Sequence, residues 1–194
     1  NFFTREAKAV ACDLLGKFIC RRHDNVETKY QIIETEAYYH DETDYDGKLI
    51  CYGANKTKSE AKRFECAPLF AQPGTLCVYG GQLLLSVTND EHPDNVLIKS
   101  IKDAQGKIYK PHGIAETLNL YKSKENYCNC HGQHSLDNNS HLYLKDGRTV
   151  SSFSCSKRVN IENDQKYNFR IDGVVSQKSR RRHGTKAGNK GHNR

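Results

Sequence analysis

Methionine and tryptophan are absent from the 194-residue chain, proline occurs four times, and no purely apolar run exceeds a few residues. A helix that crosses a bilayer needs about 20 consecutive apolar residues, so a helical membrane span is excluded and a soluble protein is expected. With 36% hydrophobic and 27% charged residues, the chain also lacks the composition of a disordered or fibrous protein. Its first residues show no basic, apolar and small-residue succession, so secretion is not expected. The length fits one domain with an appended tail and is ample for a hydrophobic core.

Net charge is missing from most of the chain. The formal charge is +7, from 30 Lys and Arg against 23 Asp and Glu. Seven basic residues (Lys178, Arg180, Arg181, Arg182, Lys186, Lys190 and Arg194) and no acid lie in 176–194, so residues 1–175 carry 23 charges of each sign. Such a block reads equally as a solvated arm and as a nucleic-acid-binding tail.

Eight cysteines are too few for a disulfide scaffold of this length. Most stand singly among apolar or strand-like residues, where a free cysteine acts as a small buried hydrophobe. Cys128, Cys130, His131 and His134 form a C-x-C-H-x-x-H pattern in a polar stretch. Thiolates and imidazoles so spaced can hold zinc, but no second ligand pair follows at a finger-like interval, and a polar loop is the favoured reading.

Ala7, Val10, Ala11 and Leu14 recur at helical spacing before Gly16, which predicts a short amphipathic helix over 5–14. Strands are expected at 18–22 and 30–39. Residues 40–63 read as a long polar excursion, which in a small domain is usually functional. Leu76–Tyr79 and Leu83–Thr88 flank Gly80 and Gly81 as a β-hairpin. A strand at 96–101, a helix at 114–121, and strands at 141–144 and 168–175 complete a single α+β domain.

In a strand over 31–39, alternation puts Ile32, Glu34, Glu36 and Tyr38 on one face. Glutamate is depleted in strands and costly to bury unpaired, so two on one face need a reason. Spacing alone favours an exposed edge strand with surface ion pairs; the sharper reading is a carboxylate that activates water beside an aromatic platform. Tyr79 at the hairpin tip is either a packing residue or a wedge between bases. Lys56, Lys58, Lys62 and Arg63 are either a solvated face or a phosphate track.

Residues 32–38, IIETEAY, resemble the signature strand of the alkyladenine (3-methyladenine) DNA glycosylases. The opening helix and strand, PGTLCVY at 73–79, VLIKSI at 96–101 and NFRIDGVVS at 168–176 are similar to further segments of that family in the same order. The resemblance implies a curved, largely antiparallel, open barrel-like sheet with flanking helices and a DNA-inserting hairpin. It places the family-like domain at 1–176 and a basic tail at 177–194. It implies a monofunctional N-glycosylase of base-excision repair that flips alkylated or deaminated purines out of double-stranded DNA. The lesion it implies is 3-methyladenine, with 7-methylguanine, hypoxanthine and ethenoadenine as further candidates. Glu36 would be the general base and Tyr38 the stacking ring, with no metal or redox cofactor. The protein would be a monomer without membrane attachment, cytoplasmic with the nucleoid in a bacterium and nuclear in a eukaryote.

Several positions depart from the family pattern. The usual pocket histidine falls on Asp46 or on Ile50, according to the anchor used. Counting from PGT makes Tyr79 a stacking tyrosine, whereas counting back from VLIKSI makes it the intercalating one. The second count places Ser86 where an asparagine excludes the guanine amino group, which implies weaker rejection of guanine lesions. Lys99 stands for the pocket arginine, keeping charge but losing the planar fork. DNA contacts are expected from Tyr79, Lys99, Lys56, Lys58, Arg180, Arg181 and Arg182. Competing readings are a catalytically weak damaged-DNA-binding protein of the same fold, a nucleic-acid binder acting through its tail, and a zinc module on Cys128–His134.

Overall fold

Helix α1 (Ala7–Leu14) buries Ala7, Val10, Ala11 and Leu14 completely, the apolar stripe that its spacing dictates. It ends at Gly16, whose φ of +82° favours glycine, and where a Cβ would lie 2.6 Å from Val150 Cγ2 and 2.7 Å from the Arg148 carbonyl. The computed structural model describes residues 2–24, 26–51, 67–79, 81–89, 91–120 and 141–174. Lys56, Lys58, Lys62, Arg63, Cys128, Cys130, His131, His134 and Arg180–Arg182 lie outside the described residues.

The strands are β1 (Phe18–His23), β2 (Val26–Tyr38), β3 (Leu76–Tyr79), β4 (Gln82–Ser86), β5 (Asn95–Lys102), β6 (Ile108–Tyr109), β7 (Leu142–Lys145), β8 (Phe153–Ser156) and β9 (Asn168–Ile171). They form one curled antiparallel half-barrel in the order β3-β4-β5-β2-β1-β7, with β6 on β5 and β9 between β2 and β8. With α1 and α2 (Pro111–Thr117) this is the expected α+β architecture. Helix α2 starts three residues before the expected position because Pro111 suits a first helical turn. Strands β6 and β8 were not expected: β6 has only two residues and β8, a short F-S-C-S alternation, is exposed throughout.

Strand β2 is the spine of the sheet, not an edge. One side pairs with β5 along 31–38, while the other pairs first with β1 and then with β9. The β2–β5 register slips twice, once at Ile33 and once at Lys99. The first slip corrects the expected face assignment: Ile32 pairs with Ile101 in the helix-side core, whereas Glu34, Glu36 and Tyr38 face the other way.

The helix-side core packs α1 and α2 against Ile32, Leu76, Val78, Leu83, Leu85, Val96, Ile98 and Phe169, among others. The Thr35 hydroxyl donates to the Ala11 carbonyl at 2.9 Å, joining β2 to α1. A second, smaller cluster of Tyr38, Cys51, Leu69, Phe70, Cys77, Leu84 and Leu97 lies on the opposite face. The hairpin β3–β4 pairs Tyr79 with Gln82, and Gly81, next to Gln82, has φ +80°.

Candidate active site

Glu36 is 3% exposed at the centre of the sheet. A carboxylate so placed must be hydrogen-bonded or paired. Its Oε1 accepts from the Lys99 ammonium and, at 3.0 Å, from Asn168 Nδ2; its Oε2 accepts the Tyr38 hydroxyl at 2.8 Å. Glu34 lies in the same network, accepting Asn168 Nδ2 at 3.1 Å and the Ser100 hydroxyl at 2.9 Å. Lys99 and Lys110 stand 3.8 Å from its two oxygens. Burial pushes the Glu34 pKa up, but the Asn168 and Ser100 hydrogen bonds and the two lysines outweigh it and hold the group below its ordinary value.

The two register slips build this arrangement. In a regular strand Lys99 and Ser100 would point to opposite faces. Here Ser100 pairs with Glu34, Ile98 pairs with Thr35, and Lys99 is the extra residue between them, so both neighbours reach the carboxylates. Asn168, directly opposite Glu36 on β9, carries one amide to both glutamates. It follows Glu36 by 132 residues, and no local sequence signal marks it.

Tyr38 is 6% exposed. Its ring lies 4.6 Å from the guanidinium of Arg158, whose side chain is wholly buried. Arg158 donates to the Ala37 carbonyl at 2.6 Å and pairs with Glu42, which also accepts Asn163 Nδ2 at 2.9 Å. Arg158 therefore fixes the tyrosine from behind, another long-range contact that sequence reading missed.

The remaining expected residues divide. Tyr79 ends β3 on the Glu36 face and packs against the smaller cluster. Ser86 is on that face too, but its hydroxyl lies 3.0 and 3.3 Å from the Leu69 and Ala71 carbonyls, which ties the 3₁₀ turn Ala67–Phe70 to the sheet. Asp46 is exposed in the turn between Thr43 and Leu49, where Asp44 accepts its backbone N–H at 3.0 Å, and is not part of the carboxylate network. Burial pushes the Cys51 thiol far up, and it serves the smaller cluster as an apolar group. Among the described residues, no group of His, Cys, Asp and Glu is arranged to hold a metal.

The model of the methylpurine-DNA glycosylase family matches residues 1–173. The chain belongs to that family. A protein of Clostridium botulinum named "putative 3-methyladenine DNA glycosylase" is 29% identical over 120 residues, 62% of this chain and 52% of that protein. One of Clostridium perfringens with the same name is 27% identical over 186 residues, 84% of this chain and 86% of its own. The chain thus spans about half the length of the botulinum relative it matches. The family membership and the curled half-barrel agree with the resemblance read from the IIETEAY strand.

Proposed function

We propose that this protein is a monofunctional DNA N-glycosylase of base-excision repair acting on alkylated or deaminated purines, with Glu36 as general base. The supporting observation is a buried carboxylate on the central strand, held by Lys99, Asn168 and Tyr38 on the face that also carries the hairpin tyrosine. Family membership makes a flipped nucleotide the natural substrate.

Oε1 of Glu36 is occupied by two donors and Oε2 by one, so Oε2 retains a lone pair for water. The carboxylate takes a proton from that water as its oxygen bonds to the sugar C1′. The C1′–N bond breaks with its electron pair moving to the purine, leaving an abasic site and free base. The negative charge of Glu36 also stabilises the developing oxocarbenium. A methylated purine is cationic and departs neutral, so the chain must supply position, one base and an aromatic wall.

Tyr38 is that wall. A purine reaching its ring displaces part of the cluster under Leu69 and Phe70. The turn carrying these two is tied by the Ser86 hydroxyl, so contact of Ser86 with a guanine amino group needs that tie to release. Weaker discrimination against 7-methylguanine is tested by comparing its excision with those of hypoxanthine and 3-methyladenine.

The deciding experiment uses duplex oligonucleotides with single 3-methyladenine, hypoxanthine or ethenoadenine sites and detects abasic sites. Wild type is expected to release base, and Glu36→Gln to bind DNA with base release lowered about 100- to 10,000-fold. An inactive but lesion-binding wild type would favour a damage-binding protein of the same fold. Loss of all binding on deletion of 176–194 would favour a tail-driven nucleic-acid binder.

A further inference from the structure

Residues 1–175 have no net charge, yet the sheet sorts its charges by face. Directly paired residues on neighbouring strands project from the same face. The register therefore puts Arg22, Lys29, Lys102, Lys145 and Arg170 on the face of Glu34 and Glu36, and Lys99 joins them from its slip. On the described strands, only Glu27, Glu34 and Glu36 oppose these six cations, and the last two are buried. The other face of the described strands carries only Arg21 and His23.

We propose that Arg22, Lys29 and Lys145 form a track for the DNA phosphate backbone, continuous with the candidate site and lying to one side of the reacting nucleotide. This deepens, and rests on, the reading of that site as a DNA site. All three residues are exposed. They are also pre-positioned: Arg22 and Lys145 stand 5.1 and 5.6 Å from the ring centroid of the buried Tyr143, and Lys29 and Lys145 are 3.1 and 2.8 Å from Glu27. Lys29 lies seven positions before Glu36 on β2, roughly 20 Å at the usual strand rise. That length matches about six base pairs along the axis of a DNA duplex. Extraction of one nucleotide requires a hold on the flanking backbone, which phosphate contacts supply without reading sequence.

The test measures the affinity of the full chain for an undamaged duplex against salt concentration. Combined Arg22→Gln, Lys29→Gln and Lys145→Gln is expected to flatten the slope of log affinity against log salt by about 2 to 3 and to weaken low-salt binding at least about tenfold. Glu27→Gln removes the carboxylate that pairs with Lys29 and Lys145 and is expected to tighten binding, a direction that mere loss of structure would not produce. Lys8→Gln, on α1 across the sheet, leaves the slope unaltered. A wild-type slope in the triple variant, or weaker binding by Glu27→Gln, overturns the track. If the triple variant does not fold, Lys29→Gln, expected to flatten the slope by about 1, and Glu27→Gln decide the matter. A wild type that binds through the track but releases no base refutes the glycosylase reading and leaves the track standing.

Discussion

The same three residue types meet twice on one face of the sheet. At the centre, Glu36 is gripped by Lys99, Tyr38 and Asn168; on the β1–β7 side, Glu27 is gripped by Lys145, Lys29 and the Tyr143 hydroxyl. What separates them is water. Glu27 is half-buried, with 23% of its side-chain surface still in water, where high dielectric and salt make an ion pair worth little. Glu36 is buried, so each donor replaces hydration that cannot be recovered. The exposed set is suited to presenting cations, whereas the buried set holds one carboxylate in one place.

The difference is most sharply broken at Glu36 itself, where the glutamine variant is expected to lose about 100- to 10,000-fold in single-turnover base release. The same change at Glu27 leaves that rate at the wild-type value.

Next in size is Arg158→Ala, which leaves the Glu42 carboxylate without its partner and Tyr38 without its backing. Chemical denaturation should show a loss of about 3–5 kcal/mol. Arg158→Met with Glu42→Gln, which removes both charges, should recover most of it. Equal stability of the single and double variants would contradict the pairing.

Asn168→Ala removes the amide shared by Glu34 and Glu36 and is expected to cost about 1–3 kcal/mol. Base release should slow while DNA affinity is kept. Asn168→Asp, which sets a third carboxylate against the same pair, should be worse on both measures.

The smallest effect separates the two clusters by pH. Lys145 and Tyr143 hydrogen bonds lower the Glu27 pKa from 4.5 to about 2. A depressed carboxylate stabilises the fold above its unfolded pKa, and that contribution is lost as pH falls from about 4.5 to about 2. The melting-temperature difference between wild type and Glu27→Gln should be small near neutrality, shrink with added salt, and vanish across that acidic window. A difference that persists at the acid end would show that Glu27 acts through packing.

Much of this was legible along the chain. The α1 stripe, the β3–β4 hairpin and the strand carrying Glu34, Glu36 and Tyr38 follow from local periodicity and turn chemistry. Spacing favoured an exposed edge for that strand, and pairing on both sides overturned it. Alternation also misplaced Ile32, because a slip in register reflects how two strands fit and leaves no mark in either one. Arg158 and Asn168 were invisible for a related reason: each meets its partners from more than 100 residues away.

Most of the elements and the family resemblance could be read along the chain, since helix stripes, hairpin turns and the IIETEAY strand are short-range patterns of side-chain period and backbone preference. The sequence also determined that net charge is concentrated after residue 175. Which carboxylate is buried, which donors it meets and which face gathers the lysines emerge with the fold. Burial and pairing are set by strands and loops distant in sequence, and the electrostatic strength of a glutamate depends on the water those neighbours exclude.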